Sequence, residues 1–249
     1  MHTGLEHAHR SPHKSITVCI ADNPRQIRQA QALRYQIFAE EMHANLNCKE
    51  PGFDQDLFDP YCDHLIAIDE NNGQVIGTYR ILAPHQAQRI GSYYSDTEFD
   101  LTRLNNIRSN IVELGRSCVH PDYRTGTTIA LLWNALNQYM EKNRYQYMMG
   151  CASVTLKDGG HTACSLYDKL AKQALSPIEW RVFPRTPLPI KELNSTLQVE
   201  IPALIKGYIR AGAMLCGEPA WDPYFNTADF LLLLPRQHIS RRYAKHFGR

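Results

Sequence analysis

The chain has 249 residues, 43% hydrophobic and 21% charged, with a formal net charge of +2. That is ordinary for a globular protein with a full core and too close to neutral to imply a nucleic-acid partner. Seven cysteines, at 19, 48, 62, 118, 151, 164 and 216, form no C-x-x-C pair, which fits reduced, mostly buried thiols of a cytoplasmic protein and excludes a disulfide frame or zinc site. The longest apolar run, Phe230 to Leu234, is five residues, far short of a membrane span. The N-terminus lacks the apolar segment of a signal peptide.

Residues 1–14 carry His2, His7, His9 and His13 in a polar setting, read as a disordered His-rich tail. His-x-His without further ligands does not make a metal site, so no metal is expected. Ile16 to Ile20 alternates as a first strand. Asp22-Asn23-Pro24 starts a helix running to about Met42, with Ile27, Ala30, Leu33, Ile37 and Phe38 on one face. Arg34 lies on that face one turn before Phe38, where it either snorkels or points into a site.

His43 to Pro60 is a long loop rich in Asn, Asp and Gly; loops of this length are often functional. Asp59 and Asp63 precede a strand, Leu65 to Ile68. Asn71-Asn72-Gly73 is a hairpin turn, and Val75 to Leu82 the partner strand. Period-2 alternation puts Ile76, Thr78 and Arg80 on one face of it, and a mid-sheet Arg80 needs a carboxylate or an anionic ligand. Residues 84–108 read as loops around a short helix near Phe99 to Leu104.

Ile111 to Arg124, IVELGRSCVHPDYR, opens as an apolar strand and sets Glu113 three residues before Arg116. Such a pair is either a structural ion pair or the centre of a site. Thr125 to Lys142 is an amphipathic helix, Gln146 to Val154 a buried strand with Gly150 inside it, and His161 to Leu175 a further helix. A Pro-rich stretch follows at 177–189. Next come a helix over Ile201 to Ala213, a strand at Met214 to Cys216, the loop GEPAWDPYFNTAD and the strand Phe230 to Leu234. Arg236 to Arg249 carries five cations and no acid, on an expected helix. With no repeats and no evident linker, 15–249 reads as one α/β domain.

That order, with R-x-x-x-F (Arg34, Phe38), F-D-x-x-x-D (Phe58, Asp59, Asp63), Arg80 and E-x-x-R (Glu113, Arg116) in place, resembles the GNAT superfamily of acyltransferases and, within it, acyl-homoserine-lactone synthases. ELGRSCVHPDYR, LIKGYIRAGAMLCGEPAWDPYFNTADFLLLLP and the RRYAKHFG end resemble more closely the ornithine-lipid-forming, "hemolysin-like" N-acyltransferases, over Ile16 to the C-terminus. The resemblance implies a GNAT-like central mixed sheet flanked by helices, an acyl-binding cleft and a C-terminal extension. One departure stands out: the R/Q-x-x-G-x-G/A pyrophosphate loop of acetyl-CoA users is degenerate here, with Thr127 in place of its first Gly. That leans toward an acyl carrier protein, whose phosphopantetheine arm presents one phosphodiester, as the donor.

The reaction so implied moves a fatty acyl group, 3-hydroxylated or not, from a carrier-protein thioester to the α-amine of an amino acid, ornithine first. No cofactor is bound, and nucleic acid has no part. Glu113 is implied as the base and Arg116 as its catalytic neighbour. Arg34, Phe38, Asp59, Asp63, Arg80 and Trp221 are implied to bind the substrates, the arginines a carboxylate and Asp59 and Asp63 an ammonium. Ser117, Cys118 and Val119 supply the oxyanion donor, and Arg124 and Gly126 the phosphate contacts. The basic tail (Arg241, Arg242, Lys245, Arg249) suits an acidic carrier protein or the inner face of the membrane. Lactone synthesis from S-adenosylmethionine and non-catalytic lipid or partner binding on the same fold are the alternatives.

Overall fold

A computed structural model describes residues 15–239; both the His-rich N-terminal segment and the basic segment beyond Ile239 lie outside them. In chain order the strands are β1 (Ile16–Ile20), β2 (Asp63–Asp69), β3 (Gln74–Leu82), β4 (Phe99–Asp100), β5 (Ile111–Val119), β6 (Tyr147–Thr155), β7 (Phe183–Pro184), β8 (Met214–Leu215), β9 (Ala220–Asp222) and β10 (Thr227–Pro235). The α-helices are α1 (Pro24–Tyr35), α2 (Pro84–Ile90), α3 (Thr127–Lys142), α4 (His161–Ala174) and α5 (Ala203–Ala211). One eight-stranded sheet runs β1-β2-β3-β5-β6-β10-β8, with β9 also on β10, while β4 and β7 form a separate pair. All pairings in the large sheet are antiparallel except β5–β6. This is the expected mixed α/β sheet, its one parallel pair joined through α3.

Local chemistry accounts for the elements that matter. Asn23 caps α1 by accepting from the Gln26 amide, and Pro24 occupies the first turn, where no N–H is needed. Ala30, Leu33 and Arg34 form its buried face. The expected single helix to Met42 instead changes pitch: Gln36–Glu41 is a π-turn, closed by the Met42 amide on the Ile37 carbonyl. π-turns recur beside functional sites because they re-aim side chains, and here Phe38 and Met42 reach the cleft described below. On α3, Leu132, Leu136 and Met140 pack on Leu65, Ala67, Tyr79 and Ile81 of β2 and β3.

Two further expectations are corrected. The helix near Phe99 to Leu104 is β4 followed by a 3-10 turn at Thr102–Leu104; the real helix of that region is α2, which starts on Pro84 and stops at left-handed Gly91. Its short, mostly polar sequence hid the apolar period. Ile76 packs in the α3-side cluster rather than sharing a face with Thr78 and Arg80, because a bulge in the β2–β3 ladder breaks strict alternation. The helix expected over 236–249 lies for the most part outside the described residues; its first residues, Arg236–His238, form a 3-10 turn.

The decisive feature is how β5 and β6 part. Their parallel ladder holds only from Ile111↔Tyr147 to Glu113↔Met149. One residue further, Gly150 presses on the Leu114 carbonyl, so close that a Cβ would lie 2.3 Å from its oxygen. This answers what glycine does there: it admits the neighbouring backbone. On the other side of β5 the ladder to β3 slips between Thr78 and Arg80. Arg116, in this bulge, takes a left-handed φ of 49°, a conformation costly for a non-glycine residue. We expect Gly150→Ala to destabilise by about 1–3 kcal/mol through overpacking, lowering the melting temperature by roughly 2–4 °C per kcal/mol in a chain of this size. An unchanged melting temperature in a thermal scan would mean the strands part freely.

Candidate active site

The cleft opens where β5 leaves β6. Its floor is Gly115, Arg116 and Ser117 of the bulge, and its walls include Phe38, Arg80, Tyr94, Glu113, Phe225 and the acids Asp222 and Asp229. A second, apolar cavity lies behind it, lined by Leu136, Met148, Gly150, Ala213, Leu232 and Leu234 among others. The two share Leu114, Cys151 and Tyr208. A cleft carrying charged side chains therefore borders a hydrocarbon-lined space where the two strands part.

Glu113 is 5% exposed. Its Oε2 accepts from the Tyr94 amide at 2.6 Å and its Oε1 from the Ser95 amide at 2.8 Å and the Ser95 hydroxyl at 2.5 Å. The carboxylate thus sits at the N-terminus of the 3-10 turn Tyr94–Thr97, where backbone donors favour negative charge. Burial raises its pKa above the ordinary carboxylate value, and the Ser95 and Tyr94 bonds offset part of that rise. Neither Arg116 nor Arg80 bonds it. A carboxylate offers about four acceptor directions, so one remains beyond the three bonds.

The arginines have other partners, supplied by the loop at 43–60. Arg34, 0% exposed, pairs with Asp54 at 2.8 Å and Asp59 at 2.7 Å. Arg80 pairs with Asp56 at 2.7 Å and Asp59 at 3.0 Å. Arg116 pairs with Asp54 at 3.1 Å and Asp56 at 3.3 Å. Each arginine bridges two aspartates and each aspartate two arginines, so the six charges close a neutral ring that ties α1, β3 and β5 to the loop. The buried ring is satisfied because every charge has two opposite neighbours. Burial pushes the Asp59 carboxyl up, but the Arg34 and Arg80 guanidiniums outweigh it and hold Asp59 well below the usual carboxylate range. Burial and the same cations keep His64, beside Asp59, below the usual imidazole value.

The other expected residues divide by position. Arg80, Arg116, Phe38 and Ser117 line the cleft, whereas Arg34 and Asp59 belong to the ring behind it. Asp63 lies away from the cleft, accepting from the Tyr139 hydroxyl at 2.7 Å. Trp221 is 44% exposed; its neighbours Asp222 and Phe225 line the cleft instead. Cys118 faces the α1 side with Ala30, Leu33 and Ile66. Burial pushes its thiol up to about 12, so it is no nucleophile near neutrality. The Val119 carbonyl accepts from Arg124 Nε, while Arg124 Nη1 and Nη2 clasp Glu41 at 2.7 Å each. Gly126, with φ of 91°, caps α3 beside them.

The acids Glu98, Asp222 and Asp229 were not foreseen. Glu98, Asp229 and Cys151 place their ligating atoms within 4.8 Å of one another. Burial and the neighbouring acids raise Glu98 to about 9, and burial raises Asp229 to about 6.

A bulged strand, a splayed parallel pair and a cleft between them define a GNAT-fold acyltransferase. A family model described as "Acetyltransferase (GNAT) domain" matches residues 33–134. Among solved structures, a CoA-dependent acyl-homoserine lactone synthase, BjaI, with SAM and isopentyl-CoA superposes with a TM-score of 0.56 at 16% identity, over 94% of this chain and 89% of that one. FeeM, an N-acyl amino acid synthase from uncultured soil microbes, gives 0.51 at 11% identity, over 90% and 94%. The L-ornithine N(alpha)-acyltransferase of Agrobacterium fabrum is 36% identical over 92% of this chain and 84% of its own. That of Rhodobacter capsulatus is 36% identical over 94% and 95%. The chain belongs to the L-ornithine N(alpha)-acyltransferase family.

Proposed function

We propose that this chain transfers a fatty acyl group, 3-hydroxylated or not, from the phosphopantetheine thioester of an acyl carrier protein to the α-amine of L-ornithine, giving an N-acyl amino acid. The observation that carries the reading is the junction of a charged cleft with an apolar cavity through the β5–β6 gap, with Glu113 on the cleft wall. Such a junction suits a substrate that is hydrocarbon at one end and reactive thioester at the other.

Glu113 takes a proton from the α-nitrogen, directly or through water; a free α-amine is otherwise mostly protonated near pH 7. The nitrogen lone pair attacks the thioester carbon, and a main-chain N–H of β5 within Ser117 to Val119 receives the developing oxyanion, one such donor being worth roughly 3–4 kcal/mol. Collapse breaks the C–S bond, and the departing thiolate takes up a proton as the amide forms. Arg116 and Arg80, pinned by Asp54, Asp56 and Asp59, line the cleft, and the guanidinium N–H groups that the aspartates do not take are the donors for the acceptor's carboxylate.

Arg124 and Gly126, at the start of α3, suit the arm's single phosphodiester. The Arg124–Glu41 pair is exposed on both sides, so exchanging Glu41 for a phosphate costs little. Among the described residues no helix is long and apolar enough to cross a membrane. We place the enzyme in the cytoplasm, in peripheral contact with the inner membrane face where its amphiphilic product partitions.

The test is to incubate the purified protein with acyl carrier protein charged with a 3-hydroxyacyl chain, adding ornithine, lysine, glycine or S-adenosylmethionine in turn. Free thiol released with ornithine, with the amide mass in the product, supports the reading. Release with S-adenosylmethionine and a lactone product favours a lactone synthase. No release from the folded protein with any acceptor favours a binding module.

A further inference from the structure

Carboxylates also line the cleft. Asp229 and Asp222 are brought there by separate strands: Asp229 stands across from Ser153 of β6, and Asp222 across from Thr227. Glu98 joins them through Asp229 and Cys151. Their existing bonds leave the group short of donors. Asp222 Oδ1 caps the Tyr224 and Phe225 amides, and Asp229 accepts from the Thr227 hydroxyl on Oδ1 and from the Ser153 side chain. The buried Oε1 of Glu98 meets no N–H or O–H donor among the described residues. A buried acceptor left in that state is costly, and neighbouring carboxylates make it more so. Something positive or protonated belongs beside it. Without a ligand, a proton held by Glu98 and shared toward Asp229 fills that place, which matches the raised values of both groups.

The group is tied to Glu113. The Ser95 hydroxyl donates to Glu113 and lies 3.5 Å from Cys151 Sγ, which in turn lies 3.4 Å from Glu98 Oε2. This short chain is within reach of an acceptor with three methylene groups between its α-carbon and a second nitrogen.

We infer that Asp222 and Asp229 on the cleft wall, with Glu98 behind them, form a subsite for the side-chain ammonium of the acceptor, selecting a diamino acid over neutral amino acids. The assignment rests on the ornithine-acylation reading and deepens it. The cleft then holds a partner for each group of the acceptor, with guanidinium N–H donors for the carboxylate, Glu113 at the reacting nitrogen and carboxylates for the distal cation. Asp59 and Asp63, the acids named from sequence for an ammonium, lack this placement: one is spent in the ring and the other lies off the cleft.

The test compares kcat/KM for L-ornithine with that for L-norvaline, which has the same carbon chain without the second nitrogen. The proteins are the wild type, Asp229→Asn and Asp222→Asn, whose amide oxygen still caps Tyr224 and Phe225. In the wild type, ornithine is favoured by 10²-fold or more, because a site built for a charged group is left unpaired by norvaline. In each variant this ratio falls about 10- to 100-fold, mainly through a higher KM for ornithine. A parallel loss for both acceptors, leaving the ratio within twofold, would make the acids structural and overturn the inference. So would a wild type that acylates both equally, although acyl transfer itself would then stand. Selectivity lost on treatment with EDTA and restored by Zn²⁺ would hand the cluster to a metal and overturn it too. A wild type that acylates no amine would instead remove the parent reading, and this one with it.

Discussion

Glu113→Gln lowers kcat for ornithine acylation by about 10²- to 10⁴-fold, the range of general-base catalysis, and lowers stability as well. The second effect comes from geometry that the sequence alone does not reveal. Glu113 receives three donors on its two oxygens, from Tyr94 and Ser95. A carboxamide has one oxygen, so its NH₂ must face a backbone N–H, and one donor loses its acceptor at about 1–3 kcal/mol. The variant therefore folds but melts roughly 2–12 °C lower. Its pH profile separates catalysis from anchoring. Only the ionised carboxylate accepts a proton, and its pKa is raised above 4.5. The low-pH limb of kcat/KM in the wild type thus lies above the ordinary glutamate value, with activity rising as pH rises through it. The Gln variant loses that limb and keeps only the one set by the acceptor amine. A Gln variant with near-normal turnover at every pH would confine Glu113 to holding the turn.

Arg34→Met has the larger effect on stability. It opens the ring of three arginines and three aspartates at its most buried member and leaves Asp54 and Asp59 each with one cation instead of two. Removing one partner from a buried network costs about 3–5 kcal/mol, a fall of roughly 6–20 °C in melting temperature. Adding Asp59→Asn to Arg34→Met removes an uncompensated charge and recovers at least ~1 kcal/mol, so the two changes are non-additive. Strict additivity in chemical denaturation would mean the pair is not coupled. The same ring makes the protein acid-sensitive. The depressed Asp59 contributes stability that is complete above its unfolded value of 3.8 and is lost as pH falls toward its lower folded value.

Much of this was legible in the chain. The helix caps, the Asn71-Asn72-Gly73 turn and the amphipathic period of α3 are local signals, and each produced its element within a few residues. Arg80 could be seen to need a carboxylate, and the loop at 43–60 could be seen to matter. What could not be seen was that this loop folds back to serve all three arginines at once, since that follows from long-range packing. Parity on a very short strand was equally hidden. In β9 the aromatic Trp221 faces out and Asp222 faces in, the reverse of what hydrophobicity suggests. Glu98, Asp222 and Asp229 lie on three segments: β10 pairs with β9 and β6 to bring Asp222 and Asp229 together, and Glu98, just before β4, reaches them at Cys151 of β6. Asp63 follows Asp59 by four positions, but Asp59 opens a 3-10 turn and Asp63 a strand, so their side chains go to different places.

The central claim is that the nitrogen to be acylated docks against Glu113 in the vestibule of an acyl cavity. A crystal structure with L-ornithine and a non-reactive thioester analogue of the acyl-pantetheine arm tests it most directly. The expected map has the α-nitrogen within hydrogen-bond reach of a Glu113 oxygen, directly or through one water. It also has the hydrocarbon passing Leu114 and Tyr208 into the apolar cavity and the distal nitrogen against Asp229. An α-nitrogen held elsewhere, with the acyl chain outside the β5–β6 gap, would contradict it.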